Sequence, residues 1–199
     1  MKKKIVIGIV VVFISTIYLN GQSLSVDTAK LNSNYNELVN NPNTFERQKA
    51  FFEAFPSNWI EFIVTYNFLM PEQAENQIKA FGERVTLIPD SIYCEKLIEI
   101  AVGGIYKADA ANFFKSLLHR KMWSNTEGML AIISTLRKGH QMQFWQYYWS
   151  NTVKSKRLET EYKYLLKLNF DTYQEEMKIM EIAFEFFYDG VNIDGGYLK

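Results

Sequence analysis

The sequence predicts an all-α protein, a single-domain irregular array of about nine or ten short helices, and three observations carry that prediction. Apolar residues recur at three- and four-residue spacing in segment after segment. Residues that start and stop helices flank those segments. No segment sustains the every-second-residue alternation of a half-buried strand. Helices are expected at 26–40, 44–55, 58–69, 72–82, 91–102, 110–120, 125–137, 141–152, 157–168 and 172–188.

The punctuation supports each boundary in turn. Asn43 and Glu46 have capping-box spacing before the second helix, where Asn43 accepts from the backbone and Glu46 reaches back. Pro56 closes that helix, Ser57 caps the next, and Pro71 suits a first turn, where its missing N–H is not needed. Asp90 and Asp109 stand where N-caps belong. Gly103-Gly104 interrupts the middle of the chain. Ser124-Asn125-Thr126-Glu127 is a second capping box, Gly139 is expected as the C-terminal stop of that helix, and Asp171 with Gln174 starts the last one. A degenerate helical-repeat solenoid is the structural alternative, although no self-similarity appears at periods of about 30 to 47 residues.

Ahead of the helices, Lys2, Lys3 and Lys4 precede an uncharged run from Ile5 to Leu19, followed by polar Asn20-Gly21-Gln22-Ser23. This is the order of a secretory signal peptide, and the run falls short of the roughly 20 residues that a membrane span needs. Residues 1–21 are therefore expected to be removed, and 22–199 to form a single helical domain with a short polar tail from Asp189 to Lys199. The protein is expected to be exported, either periplasmic or secreted, with no stable membrane anchor after cleavage. Its one cysteine, Cys94, allows neither an internal disulfide nor a lipidated N-terminus, so packing must hold the fold.

Loss of the three lysines leaves 19 basic residues against 22 acidic ones, a mildly acidic protein. The densest basic run, Lys154-Ser155-Lys156-Arg157, reads as a solvated loop or helix start, so no nucleic-acid partner is expected. The chain has no phosphate-cradling, dinucleotide-binding or nucleophile-elbow motif. His119 and His140 each lack a second ligand at helical spacing, and neither metal nor cofactor is expected.

Few residues invite a catalytic reading. Glu181 and Glu185 share a narrow strip with Gln174 and Lys178 on the last helix, which fits a wet edge better than an acid–base pair facing across a cleft. Glu61 lies in a polar gap with Asn58 and Thr65, on a helix with Trp59, Phe62 and Tyr66 on one side and Ile60, Val64 and Phe68 on the other. A carboxyl group held there is a candidate acid, though a structural glutamate explains it as well. In the run from Trp145 to Trp149, Phe144, Trp145, Tyr148 and Trp149 share an arc with Met142 and read as core, with Tyr147 turned to the polar side. Phe45, Phe51, Phe52 and Phe55 form a similar packing arc, and Cys94 shares a core face with Leu97, Ile98 and Ala101.

Without a catalytic constellation, the leading expectation is a non-enzymatic exported protein that binds a protein partner, in an inhibitory, immunity-like or envelope-assembly role. One alternative is a hydrolase of cell-wall glycan or peptide, with Glu61 as acid and the Trp145–Trp149 region as a sugar-facing wall. The other is a small ligand held between helices.

Overall fold

A computed structural model describes residues 26–67, 69–105, 109–150 and 155–190. Among the described residues there are ten α-helices and no strand, an irregular helical array as predicted. They are α1 (Thr28–Asn40), α2 (Phe45–Ala54), α3 (Trp59–Tyr66), α4 (Pro71–Arg84), α5 (Asp90–Ala101), α6 (Asp109–Ser124), α7 (Thr126–Thr135), α8 (Lys138–Trp149), α9 (Lys156–Asn169) and α10 (Gln174–Gly190). The expected signal peptide and residues 191–199 of the expected tail lie outside the described residues, as do Phe68 and Lys154. No helix among the described residues is long and apolar enough to cross a membrane.

Several boundaries shift by a residue, and at the starts of α3 and α7 a side-chain hydrogen bond decides where the helix begins. Asn58, not Ser57, caps α3 by accepting from the Glu61 N–H, while Ser57 donates from its N–H and its hydroxyl to the Glu61 carboxylate. Asn125, not Ser124, caps α7 by accepting from Gly128 N–H. Thr44 occupies the N-cap of α2 without a side-chain bond, so the Asn43–Glu46 box does not form. Pro89 takes the N-cap of α5 and moves Asp90 into the first turn, which frees its carboxylate for Lys121 and Asn125. Pro71 is the first residue of α4, as its missing N–H favours.

Gly139 does not stop α7. That helix ends at Thr135, where the Gln141 side chain donates to the Leu136 carbonyl, and Gly139 lies in the first turn of α8. The break at Gly103-Gly104 does occur, and both glycines are required. Gly103 has φ +77°, a left-handed conformation that side chains resist. A Cβ on Gly104 would stand 2.5 Å from the Tyr147 ring.

Alternate helices are neighbours: α2, α4, α6, α8 and α10 succeed one another in contact, and α3, α5 and α7 do the same. Two rows are a feature of helical repeats, but helix lengths from 8 to 17 residues make the array irregular. A continuous core runs between the rows from Leu31 to Phe184. Its N-terminal part is aromatic, with Phe55 and Phe81 stacked at 3.9 Å between ring centroids and Phe51, Phe52 and Tyr93 around them. α3 buries Trp59, Phe62 and Tyr66, while Ile60 and Val64 face outward at 59% and 45% exposure. Thr65, expected in the polar gap, is buried instead.

Candidate functional site

α6 carries Asn112, Lys115, Ser116, His119 and Arg120 at intervals of one, three or four residues, so that they form one polar stripe along the helix. Ser155 caps α9 through a bond from Leu158 N–H, and this sets Arg157, Leu158 and Glu161 on the facing side. Between the two stripes lies an open cleft of about 450 Å³, lined by these nine residues.

The floor of the cleft is a buried cluster. His119 Nδ1 lies 2.8 Å from Glu161 Oε1, and Nε2 lies 3.1 Å from the carbonyl oxygen of Tyr148. Both neighbours accept hydrogen bonds, so a doubly protonated imidazolium satisfies both contacts. The Tyr148 hydroxyl donates to the same Glu161 oxygen, and the tyrosine ring stacks on the imidazole at 4.0 Å. Lys115 donates to Ser150 Oγ at 3.3 Å, and Ser150 donates in turn to the Tyr147 carbonyl.

Burial acts on each titratable group, and the neighbours decide the outcome. Burial pushes the Glu161 carboxyl up, but the hydrogen bond and positive charge of His119, with the Tyr148 hydroxyl, outweigh it and hold the group below its usual value. The Trp123 indole adds the weakest of these contributions. Burial lowers Lys115 to about 7 against the opposing charge of Glu161. Burial first, and then the Glu161 charge, raises the Tyr148 phenol well above its usual value.

Glu161 Oε2 is different from Oε1. It is buried, it belongs to a residue only 1% exposed, and it has no hydrogen-bond partner among the described residues. Along the same seam, Trp123 of α6 stacks on Tyr164 of α9 at 4.5 Å, with both rings more than 40% exposed.

The residues singled out from sequence fall elsewhere. Glu61 is tied to Ser57, and although partial burial raises its carboxyl, the Ser57 and Asn58 hydrogen bonds and the Lys96 charge bring it below its usual value. That direction suits a helix-capping carboxylate and opposes the raised value of a general acid. Phe144, Trp145, Tyr148 and Trp149 are buried as expected. Tyr147 is buried too, against the expectation that it faced the polar side, because α5, α6 and α10 all pack on α8 and its hydroxyl donates to the Ala111 carbonyl. Cys94 is a core thiol, raised by burial. Glu181 accepts from the Tyr162 hydroxyl, Glu185 is exposed, and Lys178 pairs with Glu175. His140 is near the surface beside Arg137.

Sequence reasoning placed His119 alone. Its partners Tyr148 and Glu161 stand 29 and 42 positions away, with no motif to link them. The spacing of Asn112, Lys115, Ser116, His119 and Arg120 was the available signal, since it draws a polar stripe beside the apolar one of the same helix. Among the described residues no three His, Cys, Asp or Glu side chains converge as a metal site. No protein-family model matches the chain, and no curated protein or solved structure matches it significantly. The fold and the cleft together define a class, a helical array with a polar cleft between two helices.

Proposed function

We propose that this chain is an exported, non-enzymatic binding protein that takes a small anionic ligand into the α6/α9 cleft. One observation carries the reading: Lys115, His119, Arg120 and Arg157 line the cleft against a single carboxylate, Glu161, which His119 already pairs. A volume of about 450 Å³ falls in the range of about 300–1,000 Å³ typical of small-molecule sites. Both nitrogens of His119 are engaged with oxygen acceptors, so the imidazole is not placed to relay a substrate's proton. Export rests on the basic, apolar and polar order of residues 2–23.

Isothermal titration of the secreted protein with inorganic phosphate and with acetate tests the binding reading. Saturable binding that Arg157→Gln weakens at least fivefold is expected. Absence of binding to either anion, or binding indifferent to Arg157→Gln, overturns it. N-terminal sequencing of the exported protein is expected to begin at Gln22. A second reading, docking of a protein partner, is favoured by the exposed strip of Trp123, Tyr164 and Leu168 beside the cleft. Trp123→Ala would then abolish capture of the partner and leave anion binding unchanged.

A further inference from the structure

The first and last helices of the array differ in what they show to solvent. The outer face of α1 is polar: Lys30, Ser33, Asn36, Glu37 and Asn40 are exposed, while Leu31 and Leu38 are buried. α10 packs on α8 and α9 and buries Met177, Met180, Ala183 and Phe184. Its opposite side carries Ile182 and Phe186, 56% and 47% exposed, with Ile179 half-buried beside them. A helix that ends a stacked array stays soluble through a polar outer face. α1 meets that condition and α10 does not.

The spacing on α10 fits a helical partner. Ile179, Ile182 and Phe186 stand three and four residues apart, the spacing of a two-helix seam. Lys178 and Glu185, both exposed and two turns apart, flank the seam on one side. Glu181 lies further round the helix, where it accepts from the Tyr162 hydroxyl of α9. Lys178 also pairs with Glu175, but both side chains are more than half exposed and Lys138 serves Glu175 as well, so Lys178 can turn away at little cost.

We propose that this face of α10 is the interface of a symmetric homodimer, in which the helices of two copies lie antiparallel across a twofold axis at Ile182. The axis passes midway between Lys178 and Glu185, so Lys178 of each copy faces Glu185 of the other and two ion pairs form. Ile182 meets its own counterpart, and Phe186 of each copy covers Ile179 of the other. A second copy is favoured over a different partner because the strip carries both charges of the pair. A uniformly acidic or basic surface would satisfy one of them and oppose the other, and a parallel pair would set each charge level with its like. One helix per copy buries less than the roughly 1,600 Å² of a standard interface, so the dimer belongs in the micromolar range. The inference is independent of the α6/α9 cleft and of its ligand.

Sedimentation equilibrium of the secreted protein, at concentrations up to about 200 µM, tests the proposal. A reversible dimer is expected. Phe186→Glu should weaken it at least about thirtyfold, by placing a charge in the seam. Lys178→Glu and Glu185→Lys should each weaken it about fivefold, because either change sets like charges face to face twice. The double variant should return to within about twofold of the unaltered protein, since it restores both pairs with the signs exchanged. All three side chains are exposed, and urea unfolding of each variant should match the parent. A chain that stays monomeric overturns the proposal, as does a dimer indifferent to Phe186→Glu or a double variant as weak as either single one. A monomer that captures a different protein through Ile182 and Phe186 overturns it too. Anion binding in the cleft should be the same in every variant, so failure here leaves that reading standing.

Discussion

Around Phe81 the core is built of stacked rings, whereas between α6 and α9 it is built around charge. Phe51, Phe52, Phe55 and Tyr93 surround Phe81 with faces and edges. Lys96, beside this cluster, donates to the carbonyl of Phe52 in the last turn of α2 and lies 4.6 Å over its ring, so its charge serves the end of a helix. At the other site His119, Glu161 and Lys115 are buried together, and one carboxylate oxygen is left over. Aromatic packing stabilises the fold without further conditions. Buried charge costs desolvation that its partners offset only in part. An arrangement that is poor for stability and opens on a cleft therefore points to binding, whereas the ring cluster points only to folding.

Four substitutions break or sharpen this contrast. Phe81→Ala should have the largest effect, about 3–5 kcal/mol of lost stability in urea unfolding, because it empties the centre of the ring cluster. Ligand affinity of the protein that remains folded should not change.

Glu161→Leu should cost about 3 kcal/mol, since it leaves His119 and the Tyr148 hydroxyl buried without their acceptor. Adding His119→Phe and Tyr148→Phe should recover most of that stability, because no buried polar group of the cluster is then left without its acceptor. The contribution of Glu161 also has a predictable pH dependence. Its folded value is lowered, so the stabilisation is present above the unfolded value of about 4.3 and is lost as pH falls through the folded one. The acid limb of the stability curve should therefore flatten in Glu161→Leu.

Lys115 works in the opposite direction. Its folded value is about 7 and its unfolded value about 10.4, so the unfolded chain binds more protons between them and stability should rise with pH across that window. Lys115→Met should remove part of the rise and raise stability near pH 6 by about 1 kcal/mol, because no ammonium is then buried. Lys96, lowered to about 8 by burial, should account for most of the remainder.

Glu61→Ala should have the smallest effect, about 1 kcal/mol, the scale of a lost helix cap. Binding in the cleft should be unaltered. A much larger loss of activity on any substrate would restore Glu61 as a reacting group.

How much of this was legible varies with the range of the interaction. Ten helices were, because apolar spacing and proline positions act within a turn or two of the chain. Cap residues were legible only to within a position, as Ser57 and Asn58 show: either can accept from the first turn, and the choice falls to the one whose neighbour also satisfies Glu61. Tyr147 was misplaced because a helical wheel reveals one apolar arc and cannot show that several helices close over α8.

By itself, then, the sequence determined the fold class, the absence of disulfide support, the burial of Cys94 and of most of the Phe144–Trp149 run, and the basic and apolar pattern at its start. These follow from composition and local periodicity. Only the tertiary structure decided that His119, Tyr148 and Glu161 form one cluster, and that Glu61 is used up at a helix start while a glutamate 100 positions later faces a cleft. The physical reason is distance along the chain. A hydrogen bond between residues 42 apart leaves no periodic trace, and whether a carboxylate is satisfied depends on which donors the packed helices bring to it.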